Sequence, residues 1–350
     1  KILINDGRVH LEVMEKMDEH LLKIKVLIGG KIKKNKGVNF PGVALDMPSF
    51  TEQDVADLEL AIDEGADWVA LSFVRSPYDK EAVDAILKDK GVDLPVMAKI
   101  EKWEALEHLD EIINTFDGVM VARGDLGVEI PQEQVPLVQK KIIALANKAG
   151  KPVVIATQLL ETMVESPTPT RAEVSDIANA IFDGTDALLV TGETAIGKFP
   201  EKVINVLSRV ILETEQTINF DKIHQPISHQ QHTADAISHA TCQIANDMDI
   251  GIILTLTHSG STARMIARYK PSADIIALTP VEKTYRQLSI IWGVTPNMID
   301  QYSNSDDIPN VSSEFIGKNH LLDKGERYVV TGGVPVGVSG TTNYLFVQKA

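Results

Sequence analysis

Residues 96–125, VMAKIEKWEALEHLDEIINTFDGVMVARGD, decide the fold. Val96–Ile100 is a short apolar run, Ala105–Asn114 repeats its apolar residues at helical spacing, and Gly118–Ala122 is a second apolar run. Strands apolar on both faces, separated by a helix, mark a parallel sheet. The polar residues fall at or just past the strand ends: Lys99 with Glu101 on the first strand, Arg123 to Asp125 on the second. A (β/α)8 barrel keeps its chemistry on that carboxyl-terminal face.

The pattern continues on both sides. Trp68–Phe73, Val153–Ala156 and Ala187–Val190 read as further strands, and Lys80–Lys88, Gln134–Ala149 and Arg171–Phe182 as helices. Thr51 with Asp54 is a capped start for a helix running to Gly65. Thr157 with Gln158, and Thr191 to Glu193, again follow strand ends. Such a series fits a doubly wound sheet or part of a barrel. No Gly-x-Gly-x-x-Gly follows any strand, and the strand-end polar residues favour the barrel.

Upstream, Ile2–Ile4, the turn at Asn5-Asp6-Gly7, and the alternation of Val9, Leu11 and Val13 predict a hairpin. Leu22–Ile28 alternates likewise, and a lysine-rich loop, Lys31–Lys36, precedes Pro41-Gly42. Downstream, a helix from Glu201 to about Ile218 leads into Asp221–His232. His224, His229 and His232 lack a cysteine or carboxylate cluster, so that stretch reads as a linker more than a metal site. A second α/β unit then follows: helix Ala234–Asp247, strand Ile252–Thr257, helix Thr262–Tyr269, strand Ile275–Leu278, helix Val281–Ile291, and strands near Arg327–Thr331 and Tyr344–Gln348. The expected domains are a β-rich segment over 1–42, a catalytic barrel portion over 43–222 and a C-terminal α/β domain over 223–350.

Composition narrows the function class. The 350 residues carry a net charge of −15, with 44% hydrophobic and 24% charged residues. This is ordinary for a globular protein and repels nucleic acid and anionic membranes, so no such partner is expected. A lone cysteine, Cys242, forms no internal disulfide and fits a reducing, cytoplasmic setting. No apolar run approaches a membrane span, and no signal peptide is evident.

The chemistry concentrates at the strand ends. Glu101 and Asp125 offer two hard carboxylates that suit Mg²⁺ or Mn²⁺, unless each merely caps a helix. Lys99, on the same strand face as Glu101, is placed to stabilise charge on a transferring phosphoryl group. In Arg123-Gly124-Asp125-Leu126-Gly127 the backbone N–H groups suit a carboxylate or phosphate, and the Thr157 hydroxyl is placed for the same anion. The hydroxyl and carboxylate of Thr191-Gly192-Glu193-Thr194 either carry protons or satisfy each other. In the second unit, Thr257, His258, Ser259, Gly260, Ser261 and Thr262 join a strand to a helix with more hydroxyls than an N-cap needs, which points to a bound phosphate.

These blocks resemble one family. Ala98–Glu101 (AKIE), Val119–Asp125 (VMVARGD) continuing as LGVEIP, Gly150–Gln158 (GKPVVIATQ), Pro169–Asp176 (PTRAEVSD), Gly192–Ala195 (GETA), Lys36–Gly42 (KGVNFPG) and Ser339–Asn343 (SGTTN) resemble pyruvate kinase, in order along essentially the whole chain. The resemblance implies a (β/α)8 TIM barrel, incomplete in this chain, with a β-rich lid remnant and a C-terminal α/β regulatory domain. It implies phosphoryl transfer from phosphoenolpyruvate to ADP, giving pyruvate and ATP. Glu101 and Asp125 would hold the metal. Arg123, Gly124, Asp125 and Thr157 would bind substrate, Lys99, Thr157 and Thr191 would serve catalysis, and Lys36 would face nucleotide phosphates. The 257–262 loop, beside Ser339-Gly340-Thr341, resembles the family's site for a phosphosugar activator, with AMP as another candidate effector. A homotetramer is implied, as is K⁺, whose ligands are not among these residues.

Departures are few. Thr191 stands where the family usually has Ser, and Lys102 where it commonly has Asn; Trp103, Ala105, Asn5 and Thr168 also differ. Five strands are counted where the family closes eight. The expectation is therefore a segment upstream of Lys1, with weak or no turnover by the 350 residues alone. Alternative readings are an enolate-forming lyase or aldolase on a related barrel, and a catalytically silent phosphosugar-binding fragment.

Overall fold

The computed structural model describes all residues except 6, 33, 35, 44–48, 219–231, 303 and 339. The linker histidines His224 and His229 therefore lie outside the described residues. Two compact units emerge: Lys1–Ala146 with Val153–Asp183 and Leu188–Leu212, and Asn147–Pro152 with Gly184–Ala187 and Glu213–Ala350.

The first unit opens with a four-stranded sheet. Strands β1 (Ile2–Ile4), β2 (Val9–Lys16), β3 (Leu22–Ile28) and β4 (Val38–Asn39) pair in the order β3-β2-β1-β4. β1 and β2 form the expected hairpin, with Ile4 opposite Val9. Leu3, Val9 and Leu11 are buried, whereas every residue of β3 is exposed.

Helix α1 (Glu52–Asp63) then starts the alternating pattern. Its Thr51 hydroxyl accepts from the Asp54 N–H while Asp54 receives the Thr51 N–H, the reciprocal cap the sequence predicts. Strands β5 (Val69–Leu71), β6 (Val96–Ile100), β7 (Gly118–Ala122), β8 (Val153–Ala156) and β9 (Ala187–Leu189) form one sheet in sequence order. Its pairs from β5 to β8 are parallel, with Lys99 beside Met120 and Ala122 beside Ala156. Val96, Ile100, Val119, Val121, Val153 and Ile155 have no exposed surface. Removing such side chains from water contributes roughly 1.5–3 kcal/mol each, and their β-branched shape suits the pleated strand.

Between the strands run α2 (Asp79–Asp89), α3 (Trp103–Glu107), α4 (Leu109–Thr115), α5 (Arg123–Glu129), α6 (Val135–Ala149) and α7 (Arg171–Phe182), followed by α8 (Gly192–Ala195) and α9 (Pro200–Glu215). Two details correct the sequence reading. The single helix expected over Ala105–Asn114 is broken at His108, where φ −114° and ψ 21° leave the helical region. Arg123-Gly124-Asp125 is itself the first turn of α5, because the chain passes from β7 into helix without a loop.

The second unit carries strands β10 (Ile252–Leu256), β11 (Asp274–Thr279), β12 (Val294–Met298), β13 (Arg327–Gly333) and β14 (Thr342–Lys349), ordered β12-β11-β10-β13-β14. β14 runs antiparallel to β13 at the edge, and the other pairs are parallel. Alternate residues feed two cores. Ile253, Ile275, Ala277 and Val329 join Cys242 and Ile266 on one face, while Leu254, Leu256, Ile276 and Val330 join Ile308, Ile316 and Tyr328 on the other. β12 and the helix Ile308–Lys318 were not anticipated. Pro296 and Asn297 in β12 have low strand propensity, so a run shaped by tertiary packing lacks a local signal.

Candidate active site

The carboxyl ends of β5 to β9 bring the expected residues into one region. Glu101, one residue past β6, is 1% exposed. Its Oε1 accepts the Phe73 N–H at 2.7 Å, and its Oε2, buried without a well-directed hydrogen bond, lies 3.2 Å from Lys99 Nζ. Lys99 donates its short bond, 2.7 Å, to the hydroxyl of Ser72, just past β5. Burial raises the Glu101 pKa and the neighbouring Asp125 charge adds to that, while Lys99 and the Phe73 N–H pull it back. Asp125 is exposed in the first turn of α5. A buried carboxylate oxygen held only by an ion pair with Lys99, near a second carboxylate, is a donor set that suits a hard divalent cation. Among the described residues no three His, Cys, Asp or Glu side chains converge, so further ligands would be substrate oxygens or water.

Thr157 closes the site from β8. Its hydroxyl accepts the Gly124 N–H at 2.8 Å, linking the end of β8 to the start of α5. Thr157 and Gln158 have φ of +67° and +55°, and Phe73 at the end of β5 has +58°. Left-handed backbone is unusual for a β-branched residue and costs of order 1–3 kcal/mol at each such position. The strain at Thr157 is held by Arg123, whose guanidinium donates to the carbonyls of Thr157 (3.0 Å) and Gln158 (2.9 Å) and to Asp176 Oδ2 (2.6 Å). Arg123 is only 7% exposed. These bonds shape the backbone under Thr157.

At the next strand end Glu193 is buried and takes backbone N–H groups from Thr191 (2.9 Å) and Leu160 (3.1 Å). That carboxylate organises two loops and leaves Thr191 itself at the surface. In the four-stranded sheet, Lys36 is exposed and borders a cavity with Arg8, Lys31, Asn5, Val9 and Gly30. Three cations thus surround one cavity of this acidic chain.

The family models for "Pyruvate kinase, barrel domain" and "Pyruvate kinase, alpha/beta domain" match residues 1–204 and 235–348. The chain belongs to the pyruvate kinase family. It is 43% identical to pyruvate kinase 2 of Synechocystis sp. over 352 residues, covering 99% of this chain and 59% of that protein. It is 43% identical to the pyruvate kinase of Clostridium acetobutylicum over 350 residues and 45% identical to that of Thermotoga maritima over 348, with 99% of this chain and 74% of each relative covered. The chain thus spans between about three fifths and three quarters of the length of these pyruvate kinases. Dependence on Mg²⁺ and K⁺ is general in the pyruvate kinase family.

Sequence reading missed Ser72 and the structural use of Asp176 and Glu193. A serine directly after a strand, and acids inside matched blocks, were the signals available for them. No described helix is long and apolar enough to cross a membrane.

The second unit holds its own candidate site. The strand order reverses direction between β10 and β13, the point where open α/β sheets bind ligands at the strand carboxyl ends. The loop after β10 and the loop after β13 line one pocket there, with Thr257, His258, Ser259, Ser261 and Thr262 facing Gly340 and Thr341. Gly260 sits at φ +76°, where a Cβ would stand 2.9 Å from a Leu288 methyl, so glycine is required. No side chain caps the following helix, Ser261–Ala267, so these hydroxyls are not used as an N-cap. Ser339 lies outside the described residues.

Proposed function

We propose that this chain transfers a phosphoryl group from phosphoenolpyruvate to ADP, giving pyruvate and ATP. The observation that carries the reading is the convergence of Lys99, Glu101, Asp125 and Thr157 at the carboxyl ends of adjacent parallel strands. Glu101 and Asp125 would hold Mg²⁺ or Mn²⁺, which supplies charge neutralisation for the phosphate and carboxylate oxygens when bound. Lys99, fixed by Ser72 and Glu101, meets negative charge on the phosphoryl group as it leaves the enol oxygen and joins the ADP β-phosphate. Gly124 N–H donates into the Thr157 hydroxyl and leaves that hydroxyl's proton for donation outward. It can pass to C3 of the enolate directly or through water, with Thr191 as the further hydroxyl on that side. Lys36, with Arg8 and Lys31, would receive the nucleotide phosphates. The cationic cavity favours this reading over a lyase, which needs no polyphosphate site. No residue of this chain is assigned to K⁺.

The hydroxyl-lined pocket of the second unit would take a phosphosugar or AMP effector. The domain divisions after residues 42 and 222, a cytoplasmic setting and a tetramer belong to the same proposal. Light scattering on the purified protein tests the last, at about four times the 38.3 kDa chain mass. The central test measures pyruvate formation from phosphoenolpyruvate and ADP with Mg²⁺ and K⁺, beside metal-dependent phosphoenolpyruvate binding by calorimetry. Turnover supports the proposal. Absence of both turnover and metal-dependent binding overturns it.

A further inference from the structure

A second buried carboxylate in the first unit does something the site chemistry does not require. Glu129 ends α5, the helix whose first turn carries Asp125, and its side chain is 1% exposed. Its Oε1 accepts from Lys102 Nζ at 2.7 Å and from Asn39 Nδ2 at 3.2 Å, while its Oε2 is buried without a hydrogen-bond partner. Lys102 directly follows Glu101. Asn39 ends β4, three residues after Lys36. One carboxylate oxygen therefore joins the four-stranded sheet, the segment that carries Glu101 and the helix that carries Asp125. The β1–β2 turn also lies near the end of α5: a Cβ at Gly7 would stand 3.6 Å from the Val128 side chain.

Burying this pair carries a desolvation cost on each ion that pairing must recover. Removing one partner is costly, and removing both is often nearly neutral. We infer that Glu129 is a positioning residue that tethers the four-stranded sheet, through Asn39, to the segments holding Glu101 and Asp125. The tether sets where Lys36 stands relative to the strand-end site. This rests on the proposed phosphotransfer, but the tether has a test of its own.

Hydrogen–deuterium exchange on the 350-residue chain is compared for wild type, Asn39→Ala, Glu129→Gln, Lys102→Met and the Glu129→Gln/Lys102→Met double variant. Loss of one hydrogen bond, about a fivefold change in an opening equilibrium, should speed exchange within residues 1–42 about fivefold in Asn39→Ala. Strands β6 to β8 should be unchanged. Lys102→Met alone should lower the thermal midpoint, and adding Glu129→Gln, whose amide oxygen still accepts from Asn39, should restore it with exchange in 1–42 as slow as in wild type. The ADP KM should rise about fivefold in Asn39→Ala, with kcat changed less. Unchanged exchange in 1–42 of Asn39→Ala, or acceleration spread evenly over the unit, overturns the tether. Wild type that shows neither turnover nor metal-dependent phosphoenolpyruvate binding but keeps the expected exchange pattern overturns the phosphotransfer reading alone.

Discussion

At the scale of single residues, Lys99 and Glu101 form a pair whose members should fail differently. Glu101→Gln keeps the Phe73 hydrogen bond and removes a buried charge, so its thermal midpoint should stay near that of wild type. Its Mn²⁺ affinity, read by calorimetry, should fall at least about tenfold, because neutral oxygens are poor ligands for hard cations. Lys99→Met removes the cation beside Oε2 and should leave Mn²⁺ binding as tight or tighter. The rate of pyruvate formation should drop about 10²–10³-fold, the usual effect of deleting one preorganised charge stabiliser. Cys242 offers an independent probe. Burial pushes its thiol up from 9.0 to about 12, so the native protein holds it protonated where the unfolded chain ionises. Native stability should therefore decline with rising pH between those values relative to Cys242→Ala. Alkylation at pH 9 should be slow until denaturant opens the C-terminal core.

Among the secondary-structure elements, α7 is the clearest to perturb. Thr170 caps its first turn against Glu173, which also receives the N–H and hydroxyl of Thr162. Burial alone would raise the Glu173 pKa, but the Thr162 and Thr170 hydrogen bonds prevail and hold it below the ordinary 4.5. A depressed carboxyl contributes stability above its unfolded value, which is lost as pH falls through the folded one. Glu173→Gln should thus flatten the acid side of the stability curve below about pH 4.5, followed by circular dichroism. Thr170→Ala should cost about 1 kcal/mol at neutral pH. The sequence disclosed such elements where one signal was strong: the Thr51 cap, the both-face-apolar strands, and the polar residues after them. It disclosed less where the fold decides. Arg123 looks like an anion ligand in a linear reading, and its bonds to the left-handed turn at Thr157 and to Asp176 show only in the fold. Lys102 and Glu129 are 27 residues apart and become partners through the crossover between β6 and β7.

For the molecule as a whole, the second unit includes segments 147–152 and 184–187 from the middle of the chain. Lys270 is 3% exposed, pairs with Asp186 at 3.0 Å and lies over the Trp292 ring at 4.8 Å. Burial lowers the Lys270 pKa and Asp186 opposes that shift. Asp186→Ala should destabilise the C-terminal unit by roughly 3–5 kcal/mol, because it strands a buried ammonium. Adding Lys270→Met should recover most of that loss, measured in urea unfolding followed by Trp292 fluorescence.

That ion pair also limits how the protein can be cut and recombined. A chimera joined after residue 222 would take Lys270 from one parent and its counter-charge, 84 positions earlier, from the other. If the parents differ at 186, the graft inherits an orphaned charge however well the junction is chosen. The true unit of exchange is discontinuous, residues 213–350 together with 147–152 and 184–187. Two relatives should interchange these domains freely only where positions 186 and 270 travel as a matched set.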